Sequence, residues 1–177
     1  IAGCGFGRDV DLCMEYFKHL NKHPKLYAFD TFGENHSGSE YWEGNPTTTP
    51  WGEPFDKWVA RIGGAGRLMD QFLFHLNNSP AREYLTDWAQ FPWWTVAEEF
   101  KDNSVSFVLA NGAHKPKGIR RELDKWYPKL KKYGKIALYG HDAADFKIKL
   151  EPANQFFSDI KAYSLDVYDN YVIIKHT

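Results

Sequence analysis

Residues 104–142 decide the predicted fold; they read SVSFVLANGAHKPKGIRRELDKWYPKLKKYGKIALYGHD. The two apolar runs at the ends, SVSFVLANG and KIALYGHD, have the length and composition of buried strands. Between them, the pattern predicts a helix from Gly118 to Leu130. A strand, a helix and a second strand in this order indicate an α/β protein with a mostly parallel sheet.

The rest of the chain continues this alternation. The apolar periodicity predicts helices at about Asp9–Asn21, Arg67–Asn77, Thr95–Lys101 and Pro152–Lys161. Two more strands are predicted at LYAFD (residues 26–30) and at about Tyr84–Trp88. At the end of the chain, YSLDVYD and YVIIKH flank an Asp169-Asn170 turn, which predicts an antiparallel hairpin.

Composition limits the classes of function. The chain has 177 residues, which fits one domain over residues 1–177, and we expect N-terminal residues to be missing from it. Its formal charge of -1 argues against nucleic acid and anionic membranes as partners. Two cysteines and no long apolar run predict a cytoplasmic protein without a disulfide framework. Residues 33–66 are rich in Gly, Pro, Thr and Trp and are predicted to be an inserted active-site loop or lid.

The first residues, IAGCGFGRD, place glycine at positions 3, 5 and 7. Such a turn permits positive φ and lets a ligand lie directly on the backbone, although a tight structural turn needs glycine too. The dinucleotide fingerprint GxGxxG is not present, because Arg8 stands where its third glycine would be. Asp30 ends the next strand, where a carboxylate can accept hydrogen bonds from both hydroxyls of a ribose. The alternative is that Asp30 is an ordinary turn residue at the end of the strand.

Ligands in parallel sheets bind at the carboxyl ends of the strands. The predicted ends carry polar and glycine-rich residues, namely Gly3–Gly7, Asp30, Trp88–Phe91, Asn111–His114 and His141 with Asp142. Core packing alone does not explain why these residues end every strand. The sequence therefore predicts one crevice at this edge of the sheet.

These residues resemble the class I S-adenosylmethionine-dependent methyltransferases, in particular the small-molecule and sugar O-methyltransferases similar to methyltransferase family 24. The resemblance is carried by GCGFG (3–7), LYAFDTF (26–32), HSGSEY (36–41) and, most specifically, residues 104–142. It implies a Rossmann-like, mostly parallel seven-stranded sheet with a C-terminal antiparallel hairpin. It also implies transfer of a methyl group from S-adenosylmethionine to a hydroxyl of a small molecule or glycan.

The resemblance assigns roles to individual residues. Cofactor binding is implied for Gly3, Cys4, Gly5, Gly7, Asp30, Thr31, Gln90, Phe91 and Asn111. The candidates for a general base are His141, His114 and His36, because imidazole titrates near neutral pH. In members that use Mg²⁺, the metal would be held at Asn111 and Asp142.

The sequence departs from the family where acids usually stand, at Asn111 and Ala113. Asparagine offers a carbonyl oxygen without charge, which weakens a Mg²⁺ site. One alternative is therefore a degenerate methyltransferase-like module that binds a ligand or partner without catalysis. A nicotinamide-dependent oxidoreductase is the other, although Arg8 and the terminal hairpin argue against it. The substrate and the oligomeric state stay open.

Overall fold

The structure is a computed structural model, and it describes residues 1–5, 7–32, 53–54, 57, 60–61, 67–140, 143–160, 164–168 and 170–176. The helices are α1 (Arg8–His19), α2 (Arg67–Asn78), α3 (Trp93–Val96), α4 (Pro116–Trp126) and α5 (Ala143–Ile160). The strands are β1 (Tyr27–Asp30), β2 (Asp87–Gln90), β3 (Val105–Ala110), β4 (Leu130–Tyr139), β5 (Ser164–Tyr168) and β6 (Tyr171–Lys175). Short 3₁₀ turns follow α2, α3 and α4.

Local sequence explains where the principal helices begin. Gly7 precedes α1 with φ 97°, and Asp9 and Asp11 place negative charge in the first turn, where the helix dipole favours it. Pro116 opens α4, a position where its missing N–H and fixed φ cost nothing. Each of these helices follows a strand-like segment, so both helices start at the edge of the sheet where the strands end.

The sheet consists of a two-stranded part, β1-β2, and a four-stranded part, β3-β4-β6-β5. The pairs β1–β2 and β3–β4 are parallel, whereas β6 is antiparallel to both β4 and β5. Isolated parallel bridges from Ala2 to Phe29 and to Ala110 link the two parts. The α/β fold and the terminal hairpin are thus confirmed. The predicted seven-stranded sheet is wrong: the described residues form six strands, because the first segment pairs only through Ala2.

Two apolar clusters cover the faces of the sheet. The larger one packs β3, β4 and β6 against α4 and α5, with Leu123, Ile136 and Ile174 fully buried. The smaller one packs α1 and α2 against β1, where Met14, Phe72 and Ala28 are buried. Trp93 and Trp94 lie in the larger cluster, as core residues. Among the described residues, no helix is long and apolar enough to cross a membrane.

Several element boundaries differ from the predictions; α4 ends at Trp126 instead of Leu130, and β4 begins at Leu130, five residues before the predicted run KIALYGHD. Helix α5 starts at Ala143, nine residues before the predicted start at Pro152, so this proline lies inside the helix. Proline is common in the first turn of a helix, which made it a misleading start signal. Strand β2 begins at Asp87, since Arg82–Tyr84 forms a 3₁₀ turn. The helix predicted at Thr95–Lys101 is a single turn, α3, followed by a 3₁₀ turn.

The first two glycines of the N-terminal turn should respond differently to alanine. Gly3 has φ +81°, and a Cβ there would lie 2.4 Å from the Gly112 Cα; Gly5 has φ +51° and open space around a Cβ. We expect Gly3→Ala to lower the free energy of unfolding by at least ~3 kcal/mol through backbone strain and overlap. Gly5→Ala should cost only about 1–2 kcal/mol, from positive φ alone. Urea unfolding of both variants measures this, and equal losses would contradict it.

Candidate active site

The glycine turn lies at the carboxyl ends of β1 and β3, and its three glycines meet different surroundings. Gly3 contacts the backbone of Gly112, and a Cβ on Gly7 would lie 3.0 Å from Phe72. A Cβ on Gly5 would meet no atom within 4 Å. Gly3 and Gly7 are therefore required by packing, and Gly5 presents bare backbone to open space.

Asp30 ties this turn to the end of β1. Its Oδ2 accepts a hydrogen bond from the Gly5 N–H at 2.7 Å, and its Oδ1 accepts one from the Phe32 N–H at 2.7 Å. Burial raises the pKa of Asp30, and the surrounding backbone N–H groups oppose that rise by favouring the charged form. The N–H groups of Thr31 and Cys4 also lie near this carboxylate, and Asp30 is half-buried at the end of β1.

The other residues predicted to bind a cofactor differ in how deeply they are buried. Thr31 is buried, and its carbonyl accepts a long hydrogen bond of 3.4 Å from the Gln90 side chain. Phe91 is 58% exposed at the end of β2. Cys4 is buried, and burial raises the pKa of its thiol, so it stays protonated at neutral pH. Gln90 and Phe91 therefore lie at the carboxyl edge of the sheet, and Cys4 is buried in the glycine turn.

Asn111, at the end of β3, is held by charged side chains from two helices. Its Nδ2 lies 3.4 Å from the Asp9 Oδ2 of α1. Its Oδ1 accepts a hydrogen bond of 3.2 Å from the Lys149 Nζ of α5. The same ammonium donates to the backbone carbonyl of Tyr139 at the end of β4. Lys149 is 1% exposed, so its end of this network is buried at the carboxyl edge of the sheet.

Glu122 of α4 adds a buried carboxyl group near this network. It is 1% exposed, and among the described residues neither carboxylate oxygen has a hydrogen-bond partner of good geometry. Burial raises the pKa of Glu122 to about 8, against the opposing charge of Lys149 and the nearby N–H groups of Ala113 and Gly112. Sequence reasoning missed Asp9, Glu122 and Lys149. Their only signal is a charged residue at an otherwise apolar helical position, which a single sequence does not distinguish from a surface residue.

The catalytic histidines are only partly covered by the structure. His114 is half-buried in the loop after β3, next to the buried Ala113. His36 and His141, like Asp142 and most of the predicted lid at residues 33–66, lie outside the described residues. Within the part of the chain that the structure describes, no cluster of His, Cys, Asp or Glu forms a metal site. The metal prediction at Asn111 and Asp142 therefore stays a prediction.

Several solved structures share this architecture. The O-methyltransferase NovP superposes with a TM-score of 0.64 at 11% identity, over 99% of this chain and 70% of that chain. CalS11, the TDP-rhamnose 3'-O-methyltransferase of calicheamicin biosynthesis, gives 0.56 at 14% identity, over 98% and 69%. The chain has the class I methyltransferase fold. An rRNA methylase from Streptococcus thermophilus gives 0.58 at 11% identity, over 99% and 83%.

The comparisons confirm the methyltransferase resemblance for the fold, whereas the narrower likeness to methyltransferase family 24 stays a prediction. No protein-family model matches the sequence, and no curated protein matches it significantly.

The residues present fit S-adenosylmethionine on one observation from this structure. Gly5 leaves open space beside its backbone, and the Asp30 carboxylate next to it is a half-buried acceptor at the end of β1. Asn111 fits a divalent cation less well than Gly5 and Asp30 fit S-adenosylmethionine. The only side-chain atom of Asn111 that could bind the cation, Oδ1, already accepts a hydrogen bond from an ammonium group.

Glu122 should make stability depend on pH. Because its pKa in the folded protein is about 8, above the usual 4.5, the folded state retains a proton that the unfolded state releases between these values. The stabilisation that comes from the protonated Glu122 carboxyl is therefore fully present below pH 4.5, and it decreases as the pH rises to about 8. Urea midpoints at pH 5, 6, 7 and 8 should decrease for the wild type and change less for Glu122→Gln.

Glu98→Gln is the matched control for this measurement. Glu98 is exposed and bonded to Lys125, which lowers its pKa, so it is ionised in both states across this range. Its variant should keep the pH dependence of the wild type. A Glu122→Gln protein with an undiminished slope would contradict the assignment.

Proposed function

We propose that the chain is an S-adenosylmethionine-dependent methyltransferase that acts on a hydroxyl of a small molecule or glycan. The observation that carries the proposal is the pairing of open backbone at Gly5 with the Asp30 carboxylate, at the carboxyl edge of a sheet with the methyltransferase fold. Methyltransferase neighbours of similar architecture support the reaction class, and two of the three described above are O-methyltransferases.

The chain's own residues would bind and orient the cofactor. Asp30 would accept hydrogen bonds from the two ribose hydroxyls, while Gly5 would let the methionine moiety lie on the backbone. Gln90 and Phe91 at the end of β2 would contact the adenine ring from the rim. The cofactor supplies an electrophilic methyl group bonded to a sulfonium, and transfer needs the acceptor oxygen aligned behind that bond.

A hydroxyl acceptor loses a proton as it is methylated, so the site needs a base. His114 is the candidate that the structure describes, and it follows β3 at the same edge as Asp30. The residue is half-buried, as expected for a group that would meet a substrate at this edge. His36 and His141 stay predicted bases on the same argument from imidazole chemistry.

The near-neutral charge of the chain bears on the class of substrate. A formal charge of -1 provides no overall attraction for nucleic acid, which favours a small molecule or glycan over RNA. Residues 33–66 are proposed to be a lid over the site within one domain, and a cytoplasmic location stays part of the proposal. The catalytically degenerate module, suggested by Asn111 and Ala113, is the second candidate.

Binding of S-adenosylhomocysteine, the demethylated product, tests the cofactor site. We expect a calorimetric binding isotherm for the wild type. Asp30→Asn should weaken binding ~30-fold or more, because one charged acceptor is lost, which corresponds to about 2 kcal/mol. Asp87→Asn is the control, since Asp87 is exposed at the opposite end of β2.

Three other results of this titration would contradict the cofactor assignment. They are absence of binding, equal binding by the two aspartate variants, and preferential binding of NADH, which would revive the oxidoreductase alternative.

His114 should matter for turnover and not for cofactor binding. With labelled S-adenosylmethionine and a panel of sugar and phenol acceptors, we expect His114→Gln to lower kcat ~10²-fold or more. Its affinity for S-adenosylhomocysteine should stay within twofold of the wild type. The exposed His19→Gln, in the last turn of α1, serves as the control. Cofactor binding without turnover of any acceptor would favour the degenerate module.

A further inference from the structure

Lys149 determines which way the Asn111 amide faces. An ammonium group has only donors, so the Asn111 atom at 3.2 Å from its Nζ must be the carbonyl oxygen. The Asn111 NH₂ group then faces the glycine-turn side, where the Asp9 carboxylate lies 3.4 Å away. Asn111 is therefore held as a hydrogen-bond donor toward α1, with its oxygen turned toward α5.

Lys149 also joins the ends of two adjacent strands. It donates to Asn111 directly after β3 and to the backbone carbonyl of Tyr139, the last residue of β4. These two strand ends are the ones that a metal ion would join if it used the residues that the sequence predicts. With Lys149 only 1% exposed, its positive charge is fixed at that point and shielded from solvent.

A divalent cation on Asn111 would have to bind the oxygen that already accepts the Lys149 hydrogen bond. It would then lie within roughly 6 Å of a buried ammonium, where the repulsion between the two charges is weakly screened. Asparagine in place of an acid removes the negative charge that would offset this repulsion. The lysine and the asparagine thus act in the same direction, against metal binding.

We propose that the Lys149 side chain takes the place of a divalent cation between the ends of β3 and β4, so that this site functions without a metal. The statement about function rests on the proposed methyltransferase activity, whereas the exclusion of the metal does not. Lys149 acts here as a positioning residue, through Asn111 and the Tyr139 carbonyl. Asp9 supplies a negative charge near its ammonium group.

Titration with Mn²⁺, followed by the EPR signal of the free ion, tests the exclusion on the wild-type protein. We expect no saturable site up to ~1 mM Mn²⁺, with or without S-adenosylhomocysteine, because a hard cation needs anionic oxygen ligands. The affinity for S-adenosylhomocysteine should also agree within twofold in EDTA and in Mg²⁺. A saturable Mn²⁺ site that Asn111→Ala removes would overturn the proposal.

Two double variants test whether Lys149 is the excluding group. Asn111→Asp combined with Lys149→Met restores a carboxylate and removes the ammonium, and we expect it to bind Mn²⁺ at least tenfold more tightly than Asn111→Asp alone. Asn111→Asp combined with Lys147→Met is the matched control, because Lys147 is exposed on the same helix. Equal Mn²⁺ affinity in the two double variants would overturn the role of Lys149.

Failure of the proposed function has a separate signature. If the wild type does not bind S-adenosylhomocysteine, the methyltransferase proposal fails, while the Mn²⁺ titration without nucleotide still decides the exclusion. Circular dichroism and thermal melting establish that each variant is folded, and the wild-type titration needs no variant.

Discussion

The candidate site depends on the two parallel bridges of Ala2. Its N–H donates to the Leu109 carbonyl, and its carbonyl accepts from the Asn111 N–H, at 2.8 Å each, while Gly3 donates to the Phe29 carbonyl. These bonds hold the first segment between β1 and β3, where Gly3 has no room for a side chain. Without this segment the two parts of the sheet would not be joined, and Gly5, Asp30 and Asn111 would not lie at one edge. A single bridging residue thus determines both the continuity of the sheet and the position of the crevice.

The sequence predicted the elements whose apolar signal is continuous and local. Strands β1 and β3 were found close to their predicted positions, and the apolar part of β4 was found within a longer strand that begins five residues earlier, at Leu130. The shared edge of the strand ends followed from topology, since parallel strands end at one edge. Asp30 was predicted as the residue that ends β1, and the structure adds that its oxygens accept bonds from Gly5 and Phe32, a feature that spacing alone does not contain.

The missed features depend on contacts between residues far apart in the chain. Asn111 and Asp9 are separated by 102 residues, and Lys149 lies 38 residues after Asn111, so no local pattern relates them. Lys149 also precedes Pro152. The helix predicted to begin at that proline therefore does not include Lys149, whereas α5 does. Among the described residues the sheet has six strands, because the first segment pairs with its neighbours only through Ala2. Apolar periodicity does not indicate how many residues of a segment pair.

The buried charges beneath the crevice are not explained by stability. Replacing a buried ion pair by apolar side chains of similar volume is often neutral or stabilising, because desolvation offsets the attraction between the charges. Glu122 and Lys149 are both 1% exposed in a protein whose larger core is otherwise apolar. What apolar residues would not provide is a donor aimed at Asn111 and at the Tyr139 carbonyl, the two strand ends that border the crevice. Lys149 is therefore better understood as the group that fixes hydrogen-bond donors at these two strand ends, a role that apolar side chains would not perform.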